Sequence, residues 1–199
     1  MTSLAPITMM PRTTALPARA DGDDDAVMCA VRDGEVAALS TLYERHQRAL
    51  LNYFLRLGTT RANAEDLVQE VFMRILKYRA TYRGGSRFAT WMYYIARNAR
   101  LDQLHKRRGE AEWDDAYAPA ELPGDAAQAE QEQRLLELAL ARLPEEKREI
   151  LVLSRYQEMK YDDIAALLGC EPGTVKVRVH RAMRELRDAY QYLAHRGVQ

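Results

Sequence analysis

The sequence predicts an all-α protein, built as two helical domains joined by an acidic flexible linker. Three observations carry that expectation. Apolar residues recur every three or four positions through most of the chain from Asp24 onward, the spacing that lays one face of a helix against a core. A stretch over 109–131 breaks the period with Pro119, Pro123, Gly124 and many acids, the composition of a linker. Beyond it come a short apolar segment, a glycine turn and a longer periodic segment, the order of a helix-turn-helix. The expected organisation is a disordered tail over 1–23, a first domain over 24–108, the linker, and a second domain over 132–195.

Each element has its own signal. The tail is rich in Thr, Ala and Pro without period, so little apolar surface offsets the entropy of ordering it. A short helix over 26–32 is stopped near Gly34. Residues 35–57 carry Leu39, Leu42, Tyr43, Leu50, Tyr53, Phe54 and Leu57 near helical spacing, and Gly58 suits the C-terminal cap. Asn63 is placed to cap a helix over 64–78, which turns Leu67, Val68, Val71, Phe72, Ile75 and Leu76 inward. Ser86 can cap the next helix, whose Phe88, Met92, Ile95 and Ala99 face the core. In the second domain, leucines from Leu135 to Leu143 make one helix, and Pro144 fits the first turn of another reaching Gln157. A short helix over 161–168, a turn at Gly169, Cys170 and Glu171, and a long helix from Pro172 follow, the last with Val175, Val179, Met183 and Leu186 as its buried stripe.

Basic and acidic residues each number 29, so the net charge of zero points to no class of partner. The distribution does. Residues 82–108 hold seven cations against Asp102, a net +6; residues 109–137 hold nine acids against Arg134, a net −8; residues 172–199 hold six cations against two acids, a net +4. Two basic blocks around an acidic spacer suggest two contacts with anionic ligand. Cys29 and Cys170 lie far apart without metal-ligand spacing, which fits a reducing, cytoplasmic setting. No apolar run approaches a membrane span, so no membrane insertion is expected. His46, His105, His180 and His195 are scattered, and Asp114 and Asp115 fall in the linker; no catalytic residue, metal site or cofactor is expected.

Three surfaces carry candidate chemistry. On the helix over 64–78, Asp66, Gln69, Glu70 and Met73 form one exposed stripe, either a solvated surface or a partner site that Met73 favours. Residues 82–108 combine an Arg-Gly-Gly-Ser loop, Phe88, Trp91, Tyr93 and Tyr94 with a basic end. Cations attract phosphate and aromatic faces stack on unpaired bases, so this is a single-strand binder or, equally, a core helix with a solvated basic end. Trp91, Tyr94, Asn98 and Asp102 share a face; such aromatic stripes are more often core, but the polar continuation reaches the surface. At the start of the last helix, Thr174, Lys176, Val177, His180 and Arg181 lie away from the core, where a helix in a major groove meets base edges. Its alternative is a helical hairpin with a basic outer face.

Three segments together resemble a known family: AEDLVQEVFMRI, YRGGSRFATWMYYIARNARLDQL, and LPEEKREILVLSRY followed by YDDIAALLGCEPGTVKVRVHRAMRELR. They are similar to the bacterial sigma-70 family, and more narrowly to its small extracytoplasmic-function (ECF) members, which keep only the σ2 and σ4 domains. The resemblance covers about 24–108 and 132–190. It implies a factor that binds core RNA polymerase and directs promoter recognition and opening, without catalysis of its own. Asp66, Gln69, Glu70 and Met73 would dock on the clamp helices of the β′ subunit. Tyr82, Arg83, Phe88, Trp91, Asn98, Lys106, Arg107 and Arg108 would recognise and melt the −10 element of promoter DNA, with a flipped base between the loop and Asn98. Thr174, Lys176, Val177, Arg178, His180 and Arg181 would read the −35 element as duplex, and σ4 would hold the β flap. An anti-sigma factor is the family's usual regulator. Lys160 stands where the family often has a Ser or Thr cap, and Val177 and His180 replace commoner residues, which leaves the −35 sequence open. Two other classes compete. A dimeric helix-turn-helix regulator accounts for the second domain only, and a nucleic-acid enzyme lacks any residue cluster to support it.

Overall fold

The computed structural model describes residues 22–85, 87–109 and 128–196. The expected tail, apart from its last two residues, the proposed Ser86 cap and linker residues 110–127 lie outside them. Every regular element among the described residues is helical: α1 (Gly22–Arg32), α2 (Leu39–Arg56), α3 (Arg61–Tyr78), α4 (Phe88–Gly109), α5 (Gln128–Ala141), α6 (Glu145–Leu151), α7 (Tyr161–Leu168) and α8 (Pro172–Arg196). Short 3-10 turns precede α2 and follow α3, and a π-helical turn over Val152–Tyr156 continues α6.

Helix α1 starts at Gly22, inside the stretch expected to be tail, because Asp23, Asp24 and Asp25 place negative charge on its first turn. Helix α2 ends as Gly58 suggested. Gly58 adopts φ +86°, its amide donates to Leu55 O (3.0 Å), and the Thr59 amide donates to Phe54 O (3.1 Å), a Schellman closure. The expected Asn63 cap of α3 is corrected: Thr60, with ψ 155°, precedes the helix and its carbonyl accepts the Ala64 amide at 2.8 Å. Arg61 and Ala62 are good helix formers, so the helix extends through Asn63 to Thr60. Pro144 likewise sits one position before α6 rather than in its first turn.

Helices α1–α4 form a first unit around Met28, Leu42, Leu50, Tyr53, Phe54, Val71, Ile75, Phe88 and Met92. Helices α5–α8 form a second around Leu140, Ile150, Leu151, Ile164, Val175 and Val179. The helix-turn-helix is built as expected. Gly169 takes the left-handed conformation after α7 (φ 66°), the Cys170 amide donates to Ala165 O (3.0 Å), and Pro172 opens α8. One stripe position moves: Ala182 is fully buried and Met183 half-buried, since the inward face of α8 drifts from steps of four towards 3.6.

The two units are packed together. Their buried residues form one continuous core, with α4 against α7 and α2 against α5 and the π-helical turn. That packing is what positions, and covers, much of the surface considered next.

Candidate nucleic-acid interface

The stripe on α3 stands clear. Asp66, Gln69, Glu70 and Met73 are all exposed, and Met73, at 63% exposure, is an apolar side chain with little of the protein around it. Leu67, Val68, Val71, Phe72 and Ile75 bury the opposite face, which fixes the rotation of the helix. Arg74 ties the stripe to α4, donating to Glu70 at 2.6 Å and to Asp102 at 2.7 Å.

Helix α4 is otherwise. Three of the aromatic residues expected at a DNA surface are in the core: Tyr82 is 2% exposed, Phe88 0% and Trp91 3%. Tyr82 and Trp91 pack with ring centroids 5.0 Å apart, and Phe88 meets the His46 ring at 5.3 Å. Phe88 faces the core as its spacing predicted, and Tyr82 and Trp91, which the resemblance placed at the −10 element, are corrected to core positions in this arrangement. Aromatic rings carry large apolar surfaces, and the spacing of Phe88, Trp91 and Met92 turns them onto the other helices of the first unit. Arg83 is exposed at the loop, Asn98 is half-buried one helical face away, and Lys106 is exposed near the end of α4. The side chains of Arg107 and Arg108 lie outside the described residues.

The loop before α4 is held from beneath. The Tyr82 hydroxyl and the Gly85 amide both donate to Asp25 of α1, the latter at 3.2 Å. Gly85 has φ +84°, a left-handed conformation that its missing Cβ permits. Sequence reasoning gave α1 no role here, because the loop lies 57 to 60 residues away along the chain.

The basic side of α4 meets carboxylates of the second unit. Arg97 pairs with Glu149 at 3.2 Å, Arg100 with Glu145, and Arg87 with Asp163 at 3.5 Å. Arg100 also donates to Leu57 O at 3.0 Å. Tyr53 donates to Glu149 at 3.2 Å, Tyr93 donates to Gln157, and the Arg56 guanidinium lies 4.1 Å from the centroid of the Tyr156 ring. Burial pushes the Asp163 carboxyl above its ordinary range, with Arg87 and the Thr90 hydroxyl acting the other way. Burial also holds the Tyr53 hydroxyl, with Glu149 beside it, and the Tyr93 hydroxyl well above the ordinary tyrosine value, so both stay donors. None of the partners in the second unit was legible from local sequence, since each of those pairs crosses the linker.

Helix α8 presents the third surface. Thr174, Lys176, Val177, Arg178, His180 and Arg181 are all exposed, and Val175 and Val179 between them are buried. Val177 is 49% exposed, an apolar group available to a thymine methyl. Among the described residues no group of three or more His, Cys, Asp or Glu side chains could hold a metal ion, and no helix is long and apolar enough to cross a membrane.

Comparison with known proteins gives this geometry its context. Residues 42–110 match the family model described as Sigma-70 region 2, and residues 133–186 match Sigma-70, region 4. The chain is 34% identical over 160 residues to RNA polymerase sigma factor CarQ of Myxococcus xanthus, covering 79% of this chain and 91% of that one. It is 36% identical over 160 residues to ECF RNA polymerase sigma factor EcfG of Rhodopseudomonas palustris, covering 79% and 83%. Among solved structures, the sigma factor RpoE in complex with the anti-sigma factor NepR from Bartonella quintana matches with TM-score 0.66 and 26% identity, over 76% of this chain and 96% of that one. CnrH in complex with the cytosolic domain of CnrY shares the fold at TM-score 0.66 and 22% identity, over 85% and 97%. An all-helical chain with an exposed α3 stripe, a basic α4 and a helix-turn-helix, matched in both halves by these relatives, belongs to the ECF family of RNA polymerase sigma factors.

Proposed function

We propose that the three surfaces divide the work of a sigma factor between them. The σ2 domain, 24–108, lies within α1–α4, and the σ4 domain, 132–195, lies within α5–α8. Asp66, Gln69, Glu70 and Met73 dock on the clamp helices of the polymerase β′ subunit, a surface of mixed polar and apolar character that needs no rearrangement to be reached. Thr174, Lys176, Val177, Arg178, His180 and Arg181 enter the major groove at the −35 element, with Arg184 and Arg187 reaching phosphate at most. The observation that carries this reading is the α8 surface: six consecutive outward positions, three of them Lys or Arg, on a helix whose inner face is buried against α5, α6 and α7. The σ4 domain also holds the β flap.

The loop over 82–88 and Asn98 take up a base flipped from the −10 element, with Arg83, Lys106, Arg107 and Arg108 against the strand. Tyr82, Phe88 and Trp91 serve this from inside, by giving the loop a rigid floor. The two promoter elements are about 25 base pairs apart, roughly 85 Å of duplex at about 3.4 Å per step. Helices α4 and α7 are in direct contact, so the promoter-bound form has σ2 and σ4 apart.

The factor works in the cytoplasm, carries no catalysis of its own, and leaves the chemistry to polymerase. The solved sigma factor RpoE is in complex with an anti-sigma factor, and an anti-sigma factor holding this chain is part of the same reading. Reconstitution with core RNA polymerase, followed by mapping of transcript starts from a plasmid library of random inserts, tests it. Starts preceded by two shared elements are expected. Binding of the chain alone to a palindromic duplex, with no polymerase-dependent starts, would instead mark a dimeric helix-turn-helix regulator.

A further inference from the structure

Helix α1 has no part in the assignments above, yet it makes the contacts that define the loop before α4. Asp25 uses both carboxylate oxygens on that loop: Oδ1 accepts the Tyr82 hydroxyl and Oδ2 accepts the Gly85 amide at 3.2 Å. One turn along α1, Cys29 Sγ lies beneath Gly84, where an added Cβ would sit only 3.2 Å from it. The adjacent Asp24 secures α1 to α2 through Arg45 and His46, each at 2.7 Å. The body of the domain is thus linked to α1 by Asp24, and α1 to the first and last residues of segment 82–85 of the loop by Asp25. Arg83 and Gly84 are left at the apex, exposed.

A single carboxylate that accepts from the first and last residues of a four-residue segment fixes its span and tilt. Tyr82 is a well-seated anchor because its ring is buried against Trp91 and Phe88. Gly85 needs its left-handed φ of +84° for its amide to point back at α1, and Gly84 has no room for a side chain without moving Cys29. Charge-assisted bonds to a carboxylate are among the stronger ones available to a loop. A site that must hold one flipped base depends on placement to within a fraction of an ångström.

We propose that Asp25 is the positioning residue of the base-capturing loop, setting the selectivity of the −10 contact through Tyr82 and Gly85 without touching DNA. The inference rests on the reading that loop 82–88 and Asn98 receive the −10 base. Holoenzyme assembled from core RNA polymerase and full-length chain, transcribing the random-insert plasmid library, reads both promoter elements from the sequenced transcripts. Asp25→Ala is expected to reduce base preference at the −10 element roughly tenfold, the loss of about two hydrogen bonds, with −35 preference and competition for core polymerase unchanged. Tyr82→Phe removes one of the two bonds and is expected to give a smaller loss of the same kind. Asn98→Ala separates the two levels. If it abolishes −10 preference while Asp25→Ala leaves it intact, the positioning role is wrong and the loop reading stands. If neither variant changes −10 preference, the loop reading itself is wrong. Equal loss of both elements in Asp25→Ala would make Asp25 a residue of the fold, and would overturn the proposal.

Discussion

Helices α3 and α4 pack against each other in one domain, joined by the Arg74 to Asp102 bond, yet their outer faces are in opposite states. The α3 stripe carries an uncovered methionine and polar groups in water. The basic side of α4 is occupied by Glu145, Glu149 and Asp163 of the second unit. Under the proposed roles, the surface that meets polymerase is ready, and part of the surface that lies along the promoter is filled by carboxylates in place of phosphates. Neutral net charge has a structural counterpart here: Arg97 and Arg100 of α4 have carboxylate partners within the chain.

The comparison can be broken most forcefully at Glu149, which is buried and accepts from both Tyr53 and Arg97. Glu149→Lys places a third cation near Arg97 and Arg100 and takes away the acceptor of the buried Tyr53 hydroxyl, a loss of about 1–3 kcal/mol. The expected outcome is separation of the units, read as a larger radius of gyration in small-angle scattering, with the helix content of each unit kept. An unchanged radius would show that the apolar contact alone holds them.

An intermediate effect is expected from alkali. A group whose pKa is raised by folding contributes stability that is whole below its unfolded value and is lost as pH rises through its folded one. Tyr53 and Tyr93 are both held above the ordinary value of 10.0, so the packing of the units should weaken as pH rises past that value. The paired variant Tyr53→Phe, Tyr93→Phe should flatten this dependence in pH-dependent unfolding. A steeper one would contradict the cause given. On α8, Lys176→Ala or Arg181→Ala should lower −35-dependent transcription by about tenfold without loss of polymerase binding, the cost of one groove contact. Failure of holoenzyme assembly would overturn that division of roles. The smallest effect on the fold belongs to α3: Asp66→Ala with Gln69→Ala should change stability by less than about 0.5 kcal/mol, because neither side chain is buried. The same variant should compete poorly for core polymerase, and unchanged competition would remove the docking assignment.

What the sequence revealed follows the same line. The α3 stripe was legible because Leu67, Val71 and Ile75 define its inner face by local spacing alone. The helix-turn-helix was legible because a left-handed turn after a short apolar helix calls for a glycine, and Gly169 supplies it. The rings of α4 were ambiguous, since core and strand-binding helices use the same aromatic residues at the same period; burial resolves Tyr82, Phe88 and Trp91 as core. The cover on α4 was beyond reach, because Tyr53 and Glu149 stand 96 residues apart and nothing in either neighbourhood names the other. Lys160 is a smaller case: no side chain caps α7, as its residue type implied, but the Lys160 carbonyl still accepts the Ile164 amide at 3.0 Å.

The central claim is that the chain rests with α4 covered by its second unit and works with the two apart. Fluorescent labels at Glu65→Cys on α3 and Asp188→Cys on α8, both exposed, in a chain with Cys29→Ser and Cys170→Ser, measure the distance directly by energy transfer. The account predicts high transfer in the free chain and its loss in a holoenzyme bound to a promoter. High transfer retained in a transcribing complex would contradict it.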